Sequence, residues 1–93
     1  MENVVTIKRE AAEQELLKSL AVLKANMSLA FSDAHNFEDS EEVFREASER
    51  LEAVALFAAE SSMARVLIEA QSLLISAGFL HLETSVRLAC NKR

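Results

Sequence analysis

Proline is absent from this chain of 93 residues, and glycine occurs once, at Gly78. These two residues supply the positive φ, tight hairpins and bulges that fold a sheet back on itself, so most β-rich folds are excluded. The chain instead has 15 alanines and 13 leucines, and 51% of its residues are hydrophobic. Strong helix formers at that density predict an all-α fold. The shortage of glycine also excludes P-loop and dinucleotide fingerprints, which cradle phosphate in backbone amides of several glycines. A single cysteine, Cys90, provides neither an internal disulfide nor a zinc site. One helical domain, 1–93, must therefore be held together by its core.

Charge is distributed unevenly. Residues 1–31 balance four acids with four bases, and residues 63–93 carry Glu69 and Glu83 against Arg65, Arg87, Lys92 and Arg93. The middle third, 32–62, holds nine acids against Arg45 and Arg50, so the net −5 of the chain originates there. No basic stripe is present to neutralise phosphates, and direct binding of nucleic acid is not expected. The start, MENVVTIKRE, has the pattern of neither a secretory signal nor a transit peptide, which predicts a cytoplasmic protein. The most apolar window, Val66 to Leu82, is broken by Glu69, Gln71 and His81 and is shorter than the ~20 residues of a membrane span. It reads as a buried helix, with no membrane partner.

Three helices fit the pattern, at about 8–31, 39–60 and 63–89. In the first, Leu16, Leu20, Leu23 and Met27 alternate by four and three along one face. The polar run from Ser32 to Asp39 reads as a loop, and Asp39 with Glu42 three residues on predicts a capping box that starts the second helix. Counted from Glu41, Val43, Phe44, Ala47, Leu51, Val54, Ala55 and Ala58 project between about 200° and 320°. Glu38, Glu41, Glu46, Glu49, Glu52 and Glu60 project between about 0° and 140°, with Leu56 among them and Phe57 at their edge. Glu41 with Arg45 and Glu46 with Arg50 are spaced as i,i+4 pairs. At Glu60-Ser61-Ser62 the stripe lapses without Gly or Pro. A turn there gives a three-helix antiparallel bundle, and a continuous helix gives a long helical hairpin.

The third helix carries two apolar stripes. Ile68, Ile75, Phe79, Leu82 and Val86 form one, and Leu67, Ala70, Leu74, Ala77 and Leu88 form the other. A helix that is apolar on two sides needs neighbours on both, which two short amphipathic partners do not supply. The expectation is a homodimer that self-associates through the first of these stripes. Gly78, in the middle of the helix, suits either a close helix approach or a tolerated glycine.

Catalytic signals are weak. His81 projects between Leu74 and Leu88 with no acid or cysteine at ligand spacing, and reads as a structural histidine of the core or interface. His35 lies in the polar loop, and Cys90 reads as an inert thiol. No serine or cysteine nucleophile has a placed base, and no metal or cofactor motif is complete.

Two short stretches resemble known families. Glu10-Ala-Ala-Glu13 and Glu38-Asp-Ser-Glu41 resemble the paired carboxylate words of MazG-like nucleotide pyrophosphohydrolases, although Glu41 stands where that family has Asp. The resemblance implies Glu10, Glu13, Glu38 and Glu41 as Mg²⁺ ligands for hydrolysis of nucleoside triphosphates. The run from Leu73 to Leu80, Leu-Leu-Ile-Ser-Ala-Gly-Phe-Leu, resembles the last helix of TraM-type antiactivators, small dimeric helical proteins that sequester a transcription factor. The Pro and Gly residues of that family are missing here.

Taken together, the residues predict a small non-enzymatic interaction module that needs no cofactor. It would bind and mask, or scaffold, a protein partner, as an inhibitor, antiactivator, co-chaperone or adaptor does. Its contact patch is expected at Leu56 and Phe57 with Glu49, Glu52 and Glu60 around them, which suits a partner with a basic surface. The alternatives from other classes are the Mg²⁺-dependent hydrolase and an acidic mimic of nucleic acid that blocks a basic groove.

Overall fold

In a computed structural model, which describes residues 4–91 with side chains from Lys8 onward, the chain forms three helices: α1 (Val4–Ser32), α2 (Phe37–Glu60) and α3 (Ala64–Cys90). They run up, down and up, with α3 packed most closely against α2, less against α1, and α1 packed least against α2. Leu20, Leu51, Ala58, Met63, Val66, Ala70 and Leu73 form one core cluster, and Met27, Phe31, Ala47 and Ala77 continue it towards the α1–α2 loop. The inner stripe of α3 uses Ala70 and Ala77, both fully buried, whose small side chains let the neighbouring helices approach. The result is a thin rod of 67 × 18 × 15 Å, with a radius of gyration of 16.2 Å against about 13 Å for a compact domain of this size. So slender a shape leaves one side of each helix uncovered.

The ends of the helices differ from expectation in instructive ways. The α2 N-cap is Asn36, three residues before the expected Asp39. Its side-chain oxygen accepts from the Asp39 amide at 2.8 Å, and the Asp39 carboxylate reaches back to accept from the His35 amide at 3.0 Å. Asp39 therefore serves as the reciprocal partner inside the first turn rather than as the cap, and the loop shrinks to 33–36. At the far end of α1, the Arg87 guanidinium donates to the Phe31 and Ala34 carbonyls at 3.1 and 3.5 Å, adding to the Ala34 amide that already donates to Phe31 and tying the α1–α2 loop to α3. The expected Glu41–Arg45 and Glu46–Arg50 pairs do not form. Arg45 instead reaches forward to Glu49 at 3.9 Å, a choice between exposed neighbours separated by a few tenths of a kcal/mol.

The chain turns at Ser61-Ser62, so the bundle forms and the long hairpin does not. Ser62 takes φ 58°, the Met63 amide donates to the Ala58 carbonyl at 2.8 Å, and the Ser62 amide donates to the Ala59 carbonyl at 3.4 Å. This is a Schellman ending, with Met63 packed into the same cluster as Ala58. Serine occupies the left-handed position that glycine takes without steric cost. Ser62→Gly is therefore expected to stabilise the fold by about 1 kcal/mol, read as an upward shift of the urea midpoint at unchanged slope. A lower midpoint would show that the Ser62 side chain contributes to the turn.

Candidate interaction surfaces

Apolar side chains remain uncovered on all three helices. On α3, Ile68, Ile75, Phe79, Leu82 and Val86 are each 54–65% exposed and lie on the side opposite buried Val66, Ala70, Leu73 and Ala77. The expectation of a buried α3 is corrected here: only 22% of its most apolar 18-residue window is buried. Packing buries Ala70, Ala77 and Leu88 of the other expected stripe but leaves its Leu67 and Leu74 half-buried and takes in Val66, Leu73 and Thr84, because α1 and α2 both sit on that side of α3. The complete helix, at 27 residues, is also long and apolar enough to cross a membrane. Core helices of soluble proteins share that property, so length and composition alone assign no location.

On α2 the expected contact patch lies together on the outward face. Leu56 is 61% and Phe57 50% exposed, and Glu49, Glu52 and Glu60 around them are exposed as well. Among the described residues, Arg45 on Glu49 is the one cation within ion-pair distance of these three carboxylates. The face therefore keeps its negative field. On α1, Val22 and Leu29 form a smaller uncovered pair.

The carboxylates of the hydrolase resemblance do not share a site. Glu13 is held by Arg65 at 3.2 Å, near the start of α3, while Ser40, next to Glu41, is held by His81. Those two positions on α3 lie ~24 Å apart along the helix. Glu10 and Glu38 are exposed at the same opposite ends, and no group of three metal-ligating side chains converges among the described residues.

One polar constellation joins residues far apart in the chain. The Ser40 hydroxyl and His81 Nδ1 share a 2.7 Å hydrogen bond, and the imidazole is stacked on Phe44 with ring centroids 5.2 Å apart. Phe37 and Phe31 stand at 5.5 and 6.3 Å. The detectable signal is that Ser40 falls at about 260° on the wheel of α2, inside the core arc. Serine and histidine in contact resemble half of a nucleophile–base pair, but the hydroxyl is fully buried and no carboxylate bonds the ring among the described residues. As placed, the pair ties the first turn of α2 to α3. Gly78 has open space where a side chain would stand, so no close approach within the chain requires it.

The chain matches no known protein family, no curated protein and no solved structure. Any functional reading must come from these surfaces.

Proposed function

We propose that this protein is a non-enzymatic, cytoplasmic interaction module, a homodimer that binds and masks, or scaffolds, a protein partner. The observation that carries the reading is the uncovered row on α3, the most apolar helix of the chain. Burying each of its five side chains contributes about 1–2 kcal/mol, since each is already partly covered. Over two copies the total is about 10–20 kcal/mol against a cost of association of ~4–15 kcal/mol, a range that contains the roughly 8 kcal/mol surplus of a micromolar complex. A well-packed seam then gives a dimer at micromolar concentration.

With the α3 row covered by a second copy, the acidic face of α2 remains free for the partner. Its carboxylates steer a basic surface at long range, and Leu56 with Phe57 supplies the desolvated contact at the centre. The exposed acidic face of α2 repels phosphate, which supports a protein partner over nucleic acid. The reading is tested by light scattering at tens of micromolar, where a single species near 10.3 kDa would refute the dimer. The partner surface is tested with Leu56→Asp, using a partner recovered from the native host by pull-down and identified by mass spectrometry. The variant is expected to keep its helix content and dimer while losing more than tenfold in affinity, about 1.4 kcal/mol. Unchanged capture would place the partner elsewhere, and loss of the dimer would assign Leu56 to the self-interface.

A further inference from the structure

We infer that the second copy lies antiparallel along α3, with Ile75 beside the partner's Phe79, Ser72 beside the partner's Leu82 and Ile68 beside the partner's Val86. This rests on the homodimer reading and adds its orientation and register. The outer row of α3 runs Ile68, Ser72, Ile75, Phe79, Leu82, Val86, in steps of four and three, which is the seam of a two-stranded coil. Its five apolar members present on the order of 500 Å², in the upper part of the ~300–600 Å² range of the largest patch on a monomer and more than half of the ~800 Å² per partner of a standard interface. A seam of that size, running from Ile68 to Val86 over most of α3, fits another helix of the same length. The chain offers one in its own copy.

Side-chain size selects the direction. In a parallel pair every layer faces itself: Ser72 meets Ser72 of the partner subunit and leaves a void, while Phe79 crowds Phe79 of the partner subunit. In the antiparallel pair the small residue meets a large one: Ser72 receives the partner's Leu82. The central layers become two equivalent Ile–Phe pairs of even size. Close packing without voids favours this arrangement. It also sets the N-terminus of each α3 beside the C-terminus of the other, so that the helix dipoles oppose.

The arrangement is tested in the full chain carrying Cys90→Ser, which removes the native thiol. Ser72→Cys and Leu82→Cys are prepared separately, mixed, allowed to exchange and treated with a short bismaleimide. Facing positions lie within reach across helices packed ~8–10 Å apart, whereas two copies of Ser72 are displaced by ~15 Å along the axis. A covalent dimer is expected from the mixture, with at least tenfold less from either variant alone. Efficient cross-linking of Ser72→Cys alone would show a parallel pair and overturn the register while leaving the dimer in place. No cross-link from any combination, in a chain that still scatters as a dimer, would move the interface off α3. A chain that scatters as a monomer and floats with vesicles of phosphatidylcholine and phosphatidylglycerol would overturn both dimer and register, with lipid covering the row.

Discussion

Replacing Ile75 and Phe79 together with Asp is expected to leave a folded helical monomer, with self-association weakened at least a thousandfold, about 4 kcal/mol. Both side chains are 63% exposed within one chain and lie on the face away from its core, so the bundle loses little when they change. In the dimer the same positions occupy the central layers. Two variant copies would bring four carboxylates into a seam that excludes water, where an unpaired charge costs several kcal/mol. Light scattering reads the mass, and far-UV circular dichroism over the same concentrations reads the helix. Collapse of the helix signal would show that the outer row belongs to the fold of the single chain. A surviving dimer would transfer the interface to another face, with Val22 and Leu29 of α1 the next exposed pair.

Particular residues show why some of this fold is legible in the sequence and some is not. The core arc of α2 is legible because its apolar and acidic arcs do not overlap: Ala47, Leu51 and Ala58 are buried where periodicity puts them. On α3 both stripes are apolar, so periodicity finds them without deciding which one faces inward. Packing decides in favour of the stripe with Ala70 and Ala77, because small residues allow helix axes to approach, and the Ile and Phe row remains outside. The turn at Ser62 is open in the sequence because serine rarely takes the left-handed conformation that glycine would have announced. Asn36 and Asp39 are both good caps, and only the geometry of the turn separates cap from reciprocal partner. The Ser40–His81 contact joins positions 41 residues apart on different helices, which no local pattern encodes. Leu56 interrupts the acidic arc of α2 in the sequence, and Leu56, Phe57, Glu49, Glu52 and Glu60 are each exposed.

Leu51→Ala should show how much of the fold depends on that inner arc. Leu51 is fully buried and is the one large apolar side chain completely buried on α2, where it joins Leu20 of α1 and Val66, Ala70 and Leu73 of α3 in a single cluster. Its small neighbours Ala58 and Ala70 cannot swing in to fill the space, so truncation leaves a cavity as well as lost burial. The expected cost is about 3–4 kcal/mol. A chain of this length has roughly 5–10 kcal/mol of stability in total, so the variant would sit near its unfolding threshold and melt on the order of 15–25 °C lower. Urea titration at fixed protein concentration reads the change, since a dimer's stability depends on that concentration. Leu56→Ala is the internal control: the same substitution on the same helix, at a side chain 61% exposed, should move stability by no more than about 0.5 kcal/mol. A loss below about 1 kcal/mol at Leu51 would mean that contacts outside this cluster hold α2 to the bundle. A large loss at Leu56 would mean that the outward face of α2 is covered when the chain assembles, leaving no free surface there for a partner.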